Sequence, residues 1–262
     1  MIYRLSINLA DGPLIDFELY YTTGGLVQVS NDVRRRILAE LEASDLSLTD
    51  LSRIVNKAQS TLSVHLEKMI EDGLIAVHDD PSDSRRKMYS LVSLRFASSK
   101  KPSDESMDVL LGNLSHVVKS PEDVGGAIPH LLFLGLDALG LSVAPMSAML
   151  GGLHATALDG SMSAQTLEET VDNARRYFSK VGMGDVSVFS MQPLTIVLKN
   201  EFAMTECAAK ALGSYVVGFF SKVLAEAFDR NYCVTSSEVF GPECNYFRFT
   251  LEPTVRKPPI KI

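Results

Sequence analysis

Hydrogen-bonding side chains line one face of a predicted helix that begins at Gln59. Four apolar residues recur there at helical spacing: Leu62, Leu66, Met69 and Ile70. At about 100° per residue, the face opposite this apolar stripe carries Ser60, Thr61, Val64 and Lys68. Small hydroxyl groups on an exposed helix can enter the major groove of duplex DNA and bond to base edges. The pattern therefore indicates recognition of double-stranded DNA.

The predicted contacts with DNA fall into two groups. The side chains expected near base edges are Gln59, Ser60, Thr61, Ser63 and His65. The cations expected near phosphates are Lys57, Lys68, Arg85, Arg86 and Lys87. Base contacts supply sequence specificity, whereas phosphate contacts fix the register on the duplex and supply much of the affinity.

The segments around this helix fit a winged helix-turn-helix. Residues 48–55 predict a short helix, with Ser47 as its N-cap and Asp50 completing a capping box. A tight turn at residues 56–58 then leads into the helix that starts at Gln59. The wing is predicted as two strands, 75–78 and 88–93, joined by a loop at 79–87.

These residues resemble the ArsR-type winged-helix regulators. The likeness rests on the short helix, the Ser- and Thr-rich second helix with its His-Leu pair, the Gly-Leu-Ile that follows, and the wing. It implies a homodimer on a palindromic operator, with a helix at about residues 31–42 helping to pair the subunits. The chain departs from the pattern at Ala58, where many relatives carry a capping Ser or Thr, and in the three aspartates of the wing.

The charge of this segment keeps a second interpretation open. Residues 30–95 hold ten Lys or Arg against eleven Asp or Glu, so they lack the basic excess typical of proteins that bind phosphates. Affinity for DNA would depend on local clusters of cations and on two copies per operator. The run Arg34, Arg35, Arg36 fits either a phosphate contact or a solvated helix face. The alternative for the whole segment is a helical hairpin that only packs against another surface.

The composition is that of a globular protein with room for two domains, because 46% of the 262 residues are hydrophobic. A formal net charge of −7 argues against nonspecific coating of nucleic acid. The residues after Met1 alternate like a strand instead of forming an apolar leader, so we expect a cytoplasmic protein. The apolar run 130–153 contains Asp137, Pro145 and several glycines, which favours a buried helix and loop over a membrane span.

Four regions are expected along the chain. They are a winged-helix domain with an N-terminal strand pair (1–96, strands 3–9 and 14–21), a linker and connecting helix (97–123), a second domain (124–253) and a tail (254–262). In the second domain, helices are predicted at 164–181 and 208–228, and strands at 185–191, 195–201, 232–239 and 246–251. Strand pairs that frame a long helix predict an α+β fold with an antiparallel sheet.

The second domain is similar to the 4-vinyl reductase (V4R) domain family. The likeness rests on a long helix rich in glycine and aromatic residues, followed by a hairpin at residues 236–249 with an acidic residue, a short glycine turn, a Cys and aromatics. It implies a sensor of a small molecule, a metal or redox state, as in the redox-responsive regulators of methanogenic archaea that join these two domains. Here Ser237 stands near the place of the family's first hairpin Cys.

Three cysteines lie in this domain: Cys207, Cys233 and Cys244. Cys233 and Cys244 fall on opposite arms of the predicted hairpin, where they could approach one another. Thiolates held together would bind zinc with a fourth ligand from Glu206, Glu238 or Glu243, because structural zinc is tetrahedral. Two thiols could instead form a disulfide that reports redox state, and the third interpretation is inert thiols. The V4R resemblance favours zinc.

No segment carries an enzyme signature. The glycine pair at residues 182–185 follows a helix and precedes a strand, the reverse of the order in a dinucleotide site. A small apolar ligand between 131–153 and 212–228 is an alternative to ordinary core packing. The sequence therefore predicts a non-enzymatic, sequence-specific transcription regulator with a C-terminal sensor. The other hypothesis is a ligand-carrying or assembly module that uses the winged helix for protein contacts only.

Overall fold

The computed structural model describes residues 16–119 and 124–255, so the strand predicted at 3–9 lies outside the described residues. The winged-helix unit contains β1 (Glu18–Thr22), β2 (Gly25–Val29), α1 (Asp32–Ala43), β3 (Leu46–Ser47), α2 (Leu48–Val55), α3 (Gln59–Glu71), β4 (Ile75–Asp80), β5 (Asp83–Leu91) and β6 (Leu94–Ser99). The C-terminal unit contains α4 (Asp104–Lys119), α5 (Val124–Ala138), β7 (Leu141–Ser142), α6 (Ala144–Ala157), α7 (Leu167–Val181), β8 (Asp185–Met191), β9 (Leu194–Lys199), α8 (Glu206–Phe228), β10 (Asn231–Phe240) and β11 (Tyr246–Thr254). Helices and antiparallel sheets together confirm the predicted α+β class.

The winged-helix unit forms around its own hydrophobic core. The three helices contribute Ile37, Leu38, Leu41, Leu51, Val55, Leu62, Leu66 and Met69. Tyr20 and Val29 from the β1–β2 hairpin, together with Leu74 and Ile75 after α3, complete this core. Full burial of one such aliphatic side chain contributes roughly 1.5–3 kcal/mol. The core therefore packs against the apolar face of α3, and the opposite face of the helix stays exposed to solvent.

The wing is a longer and tighter hairpin than the sequence predicted. β4 pairs antiparallel with β5, and only Pro81 and Ser82 lie between the two strands. At the tip, the Asp80 carboxylate accepts the backbone N–H (2.8 Å) and the hydroxyl (2.7 Å) of Ser82. The prediction of a loop at 79–87 was wrong, because most of these residues belong to the paired strands β4 and β5. They are charged and show no apolar alternation, so the sequence pattern did not mark them as strands. The three wing cations, Arg85, Arg86 and Lys87, therefore lie on a strand.

A four-stranded antiparallel sheet, in the order β2-β1-β6-β7, joins the two units. Neighbouring residues of β1 face different cores, since Tyr20 is buried in the winged-helix unit and Leu19 packs against the C-terminal core. Residues 97–99 belong to β6, so the start of the expected linker was wrong. Their backbone groups pair with β1 and β7 despite a composition typical of linkers. The pairing partner of β1 within the hairpin, β2, was not predicted as a strand.

The C-terminal unit packs helices against a second antiparallel sheet, ordered β10-β11-β9-β8. α8 is its central element and buries Leu212, Val216, Phe219 and Val223 along the predicted stripe. Its aromatic rings interlock with α7, where Phe178 lies 4.8 Å from Phe219 between ring centroids, edge to face. α7 begins at Leu167, three residues later than predicted, because the Thr166 hydroxyl accepts the N–H of Glu169 and caps the helix there.

Two glycines let the backbones of α6 and α8 touch. A Cβ atom at Gly151 would lie 1.9 Å from the carbonyl oxygen of Tyr215, and one at Gly218 would lie 1.9 Å from that of Ala148. By length and composition α8 could cross a membrane, but it packs within the core, as the central helix of a folded unit does. The apolar run 130–153 forms α5, β7 and α6, in agreement with the buried-helix interpretation.

Candidate nucleic-acid interface

Local hydrogen bonds orient α2, against which α3 packs. The Ser47 hydroxyl accepts the N–H of Asp50 at 3.2 Å, and the Asp50 carboxylate accepts the N–H of Ser47 at 3.4 Å, which is the predicted capping box. α2 ends at Asn56, whose left-handed φ of 55° turns the chain toward α3. An N-cap of this kind stabilises a helix by about 1 kcal/mol.

The outer face of α3 lies where the sequence placed it. Ser60, Thr61, Val64 and Lys68 are exposed, and Val64 exposes 66% of its surface. Of the predicted buried stripe, only Ile70 departs, with 37% exposure. The reason is angular, since Ile70 stands about 80° around the helix from Leu62, at the margin of the stripe. A small, mainly polar surface therefore faces outward along the first two turns.

The first turn of α3 has no side-chain cap. Ala58 is the N-cap residue, and its carbonyl oxygen accepts the N–H groups of Thr61 and Leu62. Backbone N–H groups at such a helix start, together with the positive end of the helix dipole, attract phosphate oxygens. Gln59 lies at this end, where its amide donates weakly to Thr49 Oγ1 at 3.5 Å. Sequence reasoning missed Thr49, although its position in the first turn of α2 was a usable signal.

Ser63 and His65 flank this outer face. The Ser63 hydroxyl donates to the Gln59 carbonyl at 3.0 Å, so its proton is already engaged. His65 is half-buried, and burial, followed by the positive charge of Arg34, lowers the pKa of its imidazole. A neutral imidazole can still bond to a base, but both side chains are less available than Ser60 and Thr61.

Two wing cations are engaged inside the winged-helix unit. Arg86 Nη2 donates to Asp50 Oδ2 at 2.5 Å and to Ser47 Oγ at 3.2 Å. The pKa of Asp50 is lowered, first by its hydrogen bond from Ser47 and then, against the effect of burial, by Arg86. Lys87 pairs with Asp79 at 2.5 Å. Arg86 thus clamps β5 to the start of α2, and its phosphate contact stays a prediction.

Arg85 on β5 and Lys57 in the turn before α3 keep their charges exposed. In residues 16–119 and 124–255, neither side chain forms an ion pair with another described residue. Lys68 instead pairs with Glu71 (3.3 Å) and Asp72 (3.1 Å). Exposed pairs contribute less than about 1 kcal/mol, so a phosphate can displace them. Arg85 and Lys57 are therefore the best placed of the predicted phosphate ligands.

The basic run of α1 makes contacts inside the unit. Arg34 reaches Asp72 at the end of α3 (3.7 Å), Arg35 pairs with Asp32 (2.5 Å), and Arg36 donates to the Ile54 carbonyl at the end of α2 (3.3 Å). Both sequence interpretations, phosphate contact and solvated face, miss this role. A long side chain can reach carbonyls and carboxylates on neighbouring helices, which spacing along one helix does not reveal.

Cys233 and Cys244 lie far apart along the β10–β11 hairpin, contrary to their expected approach. Cys233 lies opposite Glu252 in the β10–β11 ladder, whereas Cys244 lies in the turn beyond Phe240. Seven residues from Cys233 to Phe240 span about 23 Å in a strand. Glu238 pairs with Arg248 across the same ladder at 2.6 Å. No group of three His, Cys, Asp or Glu residues within the described part of the chain could hold a metal ion, so these residues do not fit the zinc site.

Cys207 belongs to a buried polar cluster around Asp137. The Asp137 carboxylate is 1% exposed and accepts hydrogen bonds from Lys100, from the hydroxyls of Ser106 and Thr205 (both 2.7 Å) and from the thiol of Cys207. Burial alone would raise the pKa of Asp137, but these donors outweigh it and lower that pKa. Burial, followed by the Asp137 hydrogen bond, raises the pKa of Cys207, so its thiol is protonated at neutral pH.

A cleft separates the winged helix from the C-terminal unit. Its volume is about 990 Å³, and its walls include Leu41, Leu91 and Arg95 on one side and Lys222, Tyr232 and Cys233 on the other. Asp45, also on the wall, bonds to the wing through His78 at 3.0 Å. A molecule bound in the cleft would contact both units. The cleft borders α8 as the sequence suggested, but its second wall is the winged helix instead of residues 131–153, apart from Pro145.

Taken together, a supported recognition helix, an exposed polar face and a wing define a winged-helix DNA-binding unit. Residues 31–77 match the family model described as bacterial regulatory protein, arsR family, so an arsR-family helix-turn-helix domain spans α1 to β4. No curated protein matches the chain.

A solved structure, the adhesin competence repressor (AdcR) from Streptococcus pyogenes, is similar at 23% identity and a TM-score of 0.23. The match covers 23% of this chain and 46% of that chain, so the chain spans less than half the length of that repressor. Similarity at this level carries no information about the function of this chain.

Proposed function

We propose that this protein is a sequence-specific, DNA-binding transcription regulator that acts as a homodimer. The observation that carries the proposal is the outer face of α3, which presents Ser60 and Thr61 beside an uncapped helix start. In this arrangement the hydroxyls read base edges in the major groove, and the first N–H groups of α3 with Lys57 hold a phosphate. Arg85 on the wing contacts the backbone of the duplex beside them.

The charge of the winged-helix unit favours two copies per operator. With Arg86 and the basic run of α1 engaged internally, few cations remain for phosphates. Each phosphate contact contributes little, and a palindromic operator bound by two subunits doubles the number of contacts. The proposed regulator therefore depends on dimerisation for its affinity.

The proposed sensor is the C-terminal unit, with the interdomain cleft as its ligand site. A ligand there would bear on α1, on β10 and, through Asp45 and His78, on the wing. Such contacts to both units are what a ligand needs in order to shift their relative geometry. The V4R resemblance of residues 124–253 supports the same assignment. Zinc and a disulfide stay predictions, and the length of the β10–β11 ladder weighs against a direct pairing of Cys233 with Cys244.

A gel shift with DNA from upstream of the protein's own gene tests DNA binding. Arg85→Ala should weaken binding and lower the slope of log K against log salt concentration by about 1–2 for a dimer, because one phosphate contact per subunit is lost. Lys180→Ala is the matched control, since Lys180 is an exposed cation on α7 of the C-terminal unit, and it should leave the slope unchanged. Thr61→Val should reduce the preference for the operator over unrelated DNA.

The outcomes separate the two functional hypotheses. Binding that is indifferent to Arg85→Ala and Thr61→Val, or no binding by the wild type, would leave the assembly module as the better account of the winged helix.

The role of the cleft is tested with N-ethylmaleimide as the probe. Cys233 is exposed on its wall, whereas burial raises the pKa values of Cys207 and Cys244 and slows their reaction. Alkylation should therefore mark Cys233 first and change DNA affinity, and Cys233→Ser should abolish both effects. Unchanged DNA affinity after complete alkylation of Cys233 would argue against coupling through the cleft.

A further inference from the structure

A histidine of the C-terminal unit is held between two tyrosines from two other helices. His154 of α6 bonds to the Tyr215 hydroxyl of α8 through Nδ1 and to the Tyr177 hydroxyl of α7 through Nε2, each at 2.5 Å. The imidazole also lies against Phe219 of α8, with 5.3 Å between the ring centroids. These side chains lie neither on the outer face of α3 nor on the wall of the interdomain cleft. Tyr177, His154 and Tyr215, here named the Tyr–His–Tyr bridge, therefore link three helices.

The bridge fits a neutral imidazole. A neutral ring has one N–H, which donates to one phenol oxygen, and one bare nitrogen, which accepts from the hydroxyl of the other phenol. A protonated ring has two N–H groups and no acceptor, so the phenol that donated must turn its proton away. Within the described residues, neither phenol has a second hydrogen-bond partner that could take this proton. Protonation of His154 therefore leaves a phenol proton without its acceptor.

The surroundings of the bridge do not compensate a positive charge. Among the described residues no carboxylate bonds to His154, and α6 carries no Lys, Arg, Asp or Glu of its own. Lys180, one turn after Tyr177, and Asp159, just after α6, are exposed at the surface. Other charged groups on the elements around the bridge pair with one another: Asp172 with Arg175 and Arg176 on α7, Glu206 with Lys210 and Glu226 with Lys222 on α8, and Arg95 of β6 with Glu18 and Glu42.

The titration of the bridge follows from this burial. Burial lowers the pKa of His154, and it is the main cause that raises the pKa of Tyr215. Both side chains are therefore uncharged at neutral pH, as the hydrogen bonds of the bridge require.

We propose that the Tyr–His–Tyr bridge is an acid-sensitive latch of the C-terminal unit. It holds α7 and α8 to α6 while His154 is neutral, and it opens when acid protonates His154. The latch lies next to the close contact of α6 and α8, because Gly151, three residues before His154, touches the Tyr215 carbonyl. Further along α8, Gly218 and Ser221 line the interdomain cleft. Opening of the latch thus loosens a helix of the cleft wall, whether or not the protein binds DNA.

A proton–carbon NMR titration of the histidine rings in the wild type tests the protonation step. The His154 ring can be assigned without a variant, through its nuclear Overhauser contacts with Tyr177 and Phe219. At about pH 6.0 an ordinary histidine, with a pKa of about 6.5, is about three-quarters protonated. His154 should still be mostly neutral at that pH. A His154 ring that is mostly protonated there overturns the proposal.

Urea unfolding of the wild type and His154→Gln measures the consequence for stability. Glutamine can donate and accept hydrogen bonds but does not titrate. The folded wild type resists a proton that its unfolded chain accepts below about pH 6.5, so its stability is lost as pH falls. Between about pH 7.5 and about pH 5.5, the unfolding constant of the wild type relative to His154→Gln should rise by up to about tenfold. A ratio that stays constant overturns the proposal.

His116→Gln is the matched control, because His116 is an exposed histidine on α4. Its unfolding constant relative to the wild type should reflect only the loss at His154, which both chains share, and should not change with pH. If His154→Gln fails to fold, the titration of the wild type still decides.

Amide hydrogen exchange shows whether the bridge acts as a latch. At about pH 5.5, α7 of the wild type should exchange faster than α7 of His154→Gln, while α3 should exchange equally in both chains. Equal exchange of α7 in the two chains would mean that protonation leaves the helices in place, and it overturns the latch.

Discussion

The outer face of α3 and the centre of the C-terminal unit solve opposite physical problems. The face of α3 keeps small polar groups such as Thr61 exposed, and these side chains are not part of the hydrophobic core beneath the helix. The C-terminal centre removes polar groups from water, as at Asp137, and brings two helix backbones into contact at Gly151 and Gly218. Substitutions in the first region should therefore alter binding, and substitutions in the second should alter stability.

Asp137→Asn should have the largest effect on stability. It leaves Lys100 without its buried carboxylate, and breaking a buried ion pair typically costs about 3–5 kcal/mol. Part of the Lys100 side chain reaches solvent, so we expect about 3 kcal/mol, measured by urea unfolding.

The double variant Lys100→Met with Asp137→Asn provides the control. It should lose less stability than the sum of the single variants, because neither charge is left alone. Unchanged stability in Asp137→Asn would show that the polar cluster does not stabilise the fold. It would also contradict the expected difference between this region and the outer face of α3.

Gly218→Ala should have the next largest effect on stability. The added Cβ meets the Ala148 carbonyl oxygen of α6 at 1.9 Å, and overpacking a close contact costs about 1–3 kcal/mol. Gly152→Ala is the matched control on α6, since the nearest atom to its added Cβ is 3.8 Å away. That control should be neutral or stabilising by up to about 1 kcal/mol, as alanine favours a helix. Thermal unfolding of the two variants side by side measures the difference, and equal melting temperatures would contradict the close helix contact.

The smallest expected effect is a pH dependence at His78. Its pKa is raised, first by the Asp79 carbonyl and then by Asp45. A raised folded pKa means that the stabilisation is fully present below the unfolded value of about 6.5 and is lost as pH rises through the folded pKa. His78→Gln should therefore be less stable than the wild type near pH 5.5 and nearly equal to it near about pH 8.5. A stability gap that widens with pH would reverse the sign and refute this pairing.

Local patterns predicted the winged helix well because the interactions that define it are local. The capping box of Ser47 and Asp50, the turn at Asn56 and the stripe of α3 each involve residues a few positions apart. The same holds for α8 and the C-terminal strands, whose apolar periodicity survives folding. The sequence by itself therefore determined the α+β class, the order of most elements and the exposed face of α3.

Long-range contacts decided the rest. From the sequence, Arg86 is an unpaired wing cation; in the fold, β5 brings it beside Asp50, 36 residues away. Cys233 and Cys244 read as a pair until the length of the β10–β11 ladder separates them. Residues 97–99 read as a linker until β1 and β7 supply hydrogen-bond partners. In each case the contacts of a residue depend on which distant segment of the chain packs next to it. The chemistry and spacing of the side chains along the sequence do not show which distant segment this will be.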